Sequence, residues 1–131
     1  MSTLADLVAE ATGAVHSLPA DQFAAEADEA STVVVDVREA DERVQTGSIA
    51  NAIHVPRGLL EFRADPTNIG HDPRLRPDYR VLLYCDDGSR AALAAASLRT
   101  LGYHSVAHLS GGLAAWNAAR LPLVGRAPSA Y

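Results

Sequence analysis

The chain has 131 residues, 48% of them hydrophobic, which suits one domain around a single core and makes a second domain unexpected. A formal charge of −5 comes without any lysine, and the arginines are scattered rather than grouped into a stripe, which argues against a nucleic-acid partner. No apolar run approaches a membrane span, the start Met1-Ser2-Thr3-Leu4-Ala5-Asp6 lacks the basic and hydrophobic segments of an export signal, and a lone cysteine suits a reducing compartment. A cytoplasmic protein with no membrane partner is therefore expected.

In chain order, Leu4, Leu7, Val8 and Ala11 share one helical face ending near Gly13, and residues 1–14 read as a helical extension packed on the domain. Val15 to Leu18 is a first short strand, and Pro19 opens a helix through Asp21, Phe23 and Ala27. Thr32 to Asp36 is apolar and β-branched on both faces, as a covered strand requires, and leads through Val37-Arg38-Glu39 into a short helix, Asp41 to Gln45, stopped by Gly47. Ile53 to Val55 is a third strand closed by Pro56, followed by a short helix from Arg57 to Phe62. Ala64 to Arg80, with three prolines and no periodicity, is the longest loop. Strand Val81 to Cys85, helix Ala91 to Leu101, strand Ser105 to Leu109, the pair Gly111-Gly112 and a helix through Trp116 to Ala119 complete a domain spanning 15–124. Leu121 to Tyr131 reads as a proline-containing tail, with 125–131 outside the domain. Strands alternating with helices imply right-handed parallel crossovers and a helix-covered sheet.

Cys85 is the only cysteine, and it falls where an apolar strand turns into a helix, the place at which open α/β sheets bind ligands. Unpaired N–H groups of the loop Asp86-Asp87-Gly88-Ser89-Arg90 and of the helix start favour negative charge on the sulfur. That arrangement predicts a thiol with a depressed pKa, reactive as a thiolate without a neighbouring general base.

These segments resemble the single-domain rhodanese family of sulfurtransferases. The resemblance rests on Asp36-Val37-Arg38-Glu39, the partial match Gly47-Ser48-Ile49-Ala50-Asn51-Ala52, Val55-Pro56, the loop Cys85 to Arg90, and Gly111-Gly112 followed by Trp116. It implies a three-layer α/β fold, a five-stranded parallel sheet flanked by helices on both faces, with Cys85 at the carboxyl end of a central strand. It also implies transfer of a sulfane sulfur from a donor such as thiosulfate, through a persulfide on Cys85, to a thiophilic acceptor. With no second cysteine to resolve the persulfide, the sulfur must leave to an external small thiol, cyanide or protein in a ping-pong cycle that needs no cofactor. Two departures stand out. Ser48 and Asn51 occupy positions where the family usually has histidine and glycine, and the carboxylates of Asp86 and Asp87 oppose both thiolate formation and an anionic donor.

Asp86, Asp87, Gly88, Ser89 and Arg90 are thus candidate substrate contacts, with Gly88 allowing close backbone approach and Arg90 binding the donor's anion or bracing the loop. Arg57, at the same sheet edge, is a candidate contact weighed against an ordinary surface arginine. Asp36 and Arg38 read as a supporting ion pair between neighbouring loops, and Trp116 as core. His104 and His108 have metal-pair spacing, but in extended chain they lie about 13 Å apart, so no metal site is expected. Two rival functions remain: a cysteine-dependent phosphatase, for which the four residues between Cys85 and Arg90 are one too few, and a non-catalytic sulfur-sensing or interaction module.

Overall fold

The structure, a computed structural model, describes residues 1–127. Five strands, β1 (His16–Leu18), β2 (Thr32–Asp36), β3 (Ile53–His54), β4 (Arg80–Tyr84) and β5 (Val106–Leu109), form one sheet in the order β1-β5-β4-β2-β3. Every pairing is parallel, with Val35 opposite Leu83 and Leu82 opposite Ala107 across the two sides of β4. The expected three-layer α/β architecture is the one observed, and β4 is its central strand.

Alternation along the strands supplies two cores. Val35, Val81 and Leu83 point to one face, where they meet Leu98, Ala94 and Ala95 of α5 (Ser89–Thr100) and Leu60 of α4 (Leu60–Ala64). On that face α1 (Leu4–Ala14) also packs against α5. Val34, Leu82 and Tyr84 point to the other face, onto Phe23 of α2 (Ala20–Ala27) and Leu113 and Trp116 of α6 (Gly112–Ala118). Phe23 meets both Tyr84 and Trp116 edge to face, with ring centroids 6.4 and 6.1 Å away. Trp116 is core, as its helical spacing implies.

Element boundaries differ from expectation where polar groups decide them. Helix α5 starts at Ser89 rather than Ala91, with Gly88 at its N-cap and Asp87 Oδ1, one residue earlier, accepting from the Ser89 amide at 2.9 Å. Helix α3 (Ala40–Thr46) begins with a capping box between Glu39 and Glu42. The segment after Pro56 starts as a 3-10 turn, Arg57–Leu59, before becoming α4. The long loop 65–79 is a chain of tight turns pinned by the fully buried Leu75 and by a 2.7 Å hydrogen bond from Tyr103 Oη to the Ala64 carbonyl.

The tail is not a loose appendage over its described part. Ser48 and Val124 exchange two 2.8 Å backbone hydrogen bonds, and the Ala127 amide donates to the Val44 carbonyl at 2.7 Å. Trp116 Nε1 donates to the Pro122 carbonyl at 3.0 Å. Residues 125–127 therefore lie against α3; residues 128–131, the rest of the expected tail, fall outside the described region. Ser48, in the histidine position of the family pattern, takes part through its backbone, and Asn51, in the glycine position, adopts φ +66°.

His108 lies in β5 with one ring nitrogen 2.7 Å from Ser17 Oγ, while Nδ1 is buried without a partner among the described residues. Burial pushes its pKa below 6.5. The unfolded chain therefore takes up this proton first, so folding stability is full above pH 6.5, declines as pH drops below it, and levels off once the folded ring protonates. Urea midpoints of wild type and His108→Gln, compared at high and low pH, are expected to converge on acidification as wild type loses this contribution. A pH-independent difference would show that His108 titrates alike in both states.

Candidate active site

Cys85 is the first residue past β4 and has no solvent exposure. Its Sγ accepts from the Gly88 amide at 3.1 Å and the Ala91 amide at 3.4 Å. The loop can aim amides inward because its carbonyls are held outward: the α6 amides of Leu113 and Ala114 donate to the carbonyls of Cys85 at 2.9 Å and Asp86 at 3.2 Å. This contact requires glycine at 112. The backbone there has φ +60°, and a Cβ would overlap the Asp86 carbonyl and lie 2.6 Å from the Cys85 oxygen. Gly88, at φ +101°, makes the complementary turn on the loop itself. The Gly111-Gly112 pair, which in the sequence is one of the motifs of the family resemblance and a turn before the last helix, thus also helps shape the site.

The expectation of a depressed thiol pKa is not met. Burial pushes the Cys85 thiol above its ordinary value, and the nearby Asp87 carboxylate adds to the rise; the amides of Ala91, Gly88 and Asp87 act the other way without overcoming it. The amides were legible from the strand-to-helix crossover, but the extent of desolvation was not. Asp87 Oδ1 sits 3.8 Å from Sγ, and also accepts from Ser89 Oγ at 2.7 Å. Asp87 and Ser89 consequently spend their polar groups on each other and on the helix start.

Asp36 and Arg38 form more than a simple pair. Both are fully buried, and Asp36 accepts from the Arg38 amide, Nε and Nη2 at 2.9, 3.1 and 2.9 Å and from Tyr84 Oη at 2.8 Å. The Arg38 guanidinium continues to Thr46 Oγ1 at 2.7 Å and the Gly47 carbonyl at 2.6 Å, and reaches Asp86 Oδ1 at 3.4 Å. Tyr84 Oη also accepts from the Ile49 amide at 3.0 Å; burial and the Asp36 charge raise the phenol's pKa. Arg43 Nε lies 3.2 Å from Asp36 as a further ion-pair partner. The network ties the ends of β2 and β4 to the turn at Gly47.

Arg90 is committed to Glu42, a residue the sequence reading missed. Its two terminal nitrogens each meet one Glu42 carboxylate oxygen at 2.8 Å, and Nη2 stands 3.6 Å from Asp86 Oδ2. These hydrogen bonds lower the Glu42 pKa to about 2 and raise that of Arg90. The cation at the helix start, an electrostatic misfit in the sequence, has its reason here. The only local signal at Glu42 is the capping-box spacing from Glu39, whose amide it accepts at 2.7 Å. Asp86 remains half-exposed, and burial together with Glu42 raises its pKa against the pull of Arg38 and Arg90.

Arg57 goes elsewhere. Its guanidinium donates to both Glu61 oxygens at 3.0 Å and to Ser97 Oγ at 3.0 Å, on a groove of about 530 Å³ lined by Leu7, Ala11, Leu93 and Ser97. The i,i+4 carboxylate of Glu61 holds its guanidinium on this groove, beside α1 and α5.

The geometry and the comparisons agree on class: residues 19–119 match the model of the rhodanese-like domain, and the chain belongs to that family. Among curated proteins it is 35% identical over 94 residues to an uncharacterised protein of Synechocystis, covering 72% of this chain and 48% of that one. It is 34% identical over 83 residues to the tRNA uridine(34) hydroxylase of Bartonella bacilliformis, covering 63% and 26%. The chain thus spans about half or less of the length of these relatives. Among solved structures, a Rhodopseudomonas palustris protein described as a possible tyrosine phosphatase superposes with a TM-score of 0.88 at 32% identity, covering 95% of this chain and 96% of that one. The polysulfide-sulfur transferase of Wolinella succinogenes superposes with a TM-score of 0.74 at 28% identity, covering 95% and 88%.

Proposed function

We propose that Cys85 carries sulfur. Its thiolate attacks the outer sulfur of a donor such as thiosulfate, the donor's S–S bond breaks with the electron pair leaving on sulfite, and the sulfur stays on Cys85 as a persulfide. A thiophilic acceptor, a small thiol or a protein thiol, then removes it. The observation that carries this reading is the pair of amides, from Gly88 and Ala91, directed at Sγ where negative charge forms. The cycle as written involves no nucleic acid, membrane or cofactor, and suits a reducing cytoplasm.

Intact-mass analysis of the protein after incubation with thiosulfate, and again after cyanide, tests the proposal. The expected result is one added sulfur that cyanide strips off. Because burial holds the proton on Cys85, the loading rate should rise with pH past the ordinary cysteine range, about tenfold per pH unit while the thiol stays mainly protonated. The buried, proton-holding thiol supports a second reading, a non-catalytic sulfur-sensing or interaction module. No added sulfur at any pH would favour that module.

A further inference from the structure

The cations nearest the cysteine loop are already matched by fixed anions. Arg38 is held by Asp36, Arg43 stands beside the same carboxylate, and Arg90 is held by both oxygens of Glu42. Against these three arginines stand four carboxylates, Asp36, Glu42, Asp86 and Asp87, the last only 3.8 Å from Sγ. Among the described residues, a dianionic donor thus finds each of these three cations already facing a carboxylate, while the two amides at Sγ provide for one developing charge. Glu42 belongs to α3, 48 residues away in sequence, and holds Arg90 from outside the loop.

We propose that Glu42 is a specificity-determining positioning residue: by engaging Arg90 bidentately it withholds that cation from dianionic donors and leaves the site selective for thiol persulfides, RSSH. The inference rests on Cys85 being the sulfur carrier. With such a donor the Cys85 thiolate attacks the terminal sulfur, the RS–SH bond breaks, and the electron pair leaves on RS⁻ while Cys85 becomes Cys–S–SH. The persulfide brings no charge and RS⁻ carries away the one that Cys85 held, whereas thiosulfate brings two and releases sulfite with two.

The test compares loading of Cys85 by cysteine persulfide and by thiosulfate, followed by rapid quenching and intact mass. Wild type should load faster from cysteine persulfide. Glu42→Gln, which can still accept from the Glu39 amide, should lower the half-saturating thiosulfate concentration about tenfold by freeing Arg90, with the maximal rate little changed. Glu42→Asp, too short to keep both contacts, should shift it the same way by less, and provides the test if the glutamine variant does not fold. Adding Arg90→Ala to Glu42→Gln should erase the gain, a coupling that a merely structural role would not produce. An unchanged half-saturation in both Glu42 variants, equal shifts for both donors, or wild-type preference for thiosulfate would overturn the inference while leaving sulfur transfer intact. Failure of wild type to load from either donor would instead overturn the sulfur-transfer reading.

Discussion

Cys85→Ala is expected to abolish sulfur uptake from every donor, because the chain has no other thiol to accept it. The fold should persist. The substitution deletes one buried sulfur and leaves the Gly88 and Ala91 amides without their acceptor, which together cost about 1–3 kcal/mol, a modest part of the roughly 5–15 kcal/mol that holds a domain folded. Circular dichroism and a melting curve should therefore show a folded protein with a somewhat lower midpoint, while intact mass shows no added sulfur. Sulfur uptake by the alanine variant would place the chemistry elsewhere.

Gly112→Ala should be the more damaging change, though it lies outside the loop. The new methyl overlaps the Asp86 carbonyl and presses on that of Cys85, and the backbone at φ +60° is unfavourable for alanine. Steric crowding and left-handed strain together amount to roughly 2–6 kcal/mol, relieved only if α6 withdraws from the loop and its bonds to those carbonyls break. Gly102→Ala isolates the strain, since its φ of +94° is also left-handed but, among the described residues, nothing beyond its own chain neighbours lies within 4 Å of the added carbon. Urea denaturation should show a much larger loss for position 112. Equal losses would mean that the clash is absorbed and that α6 does not hold the loop.

The sheet was legible because β2 and β4 are short apolar runs on both faces, with β-branched residues in β2 and turn residues at their ends, as strands covered on both sides are. The cysteine loop was legible for a related reason: an apolar run ending in Cys85 and followed by Asp-Asp-Gly-Ser can only be a turn into the next helix. The partners that tune it were not. Glu42 looks like any acidic residue in a helix's first turn, and its pairing with Arg90 exists only because the parallel sheet brings the carboxyl ends of β2 and β4 side by side. The same holds for Ser48 and Val124, whose mutual bonding depends on a chain reversal after α6 that no local periodicity announces. The balance between amides and burial at Cys85 was illegible too, because spacing reveals donors but not the depth of the sulfur.

That depth gives the molecule a built-in reporter. A sole thiol with no exposed surface, roofed by a loop that hangs from α6, can be labelled by a bulky disulfide reagent only while the roof is lifted. The labelling rate under native conditions then measures how often this corner of the fold opens, an opening free energy that can lie well below that of global unfolding. Any ligand that seats on the closed loop slows the reaction, so occupancy of the site becomes readable from the kinetics of one colour change, without knowing the ligand's chemistry in advance.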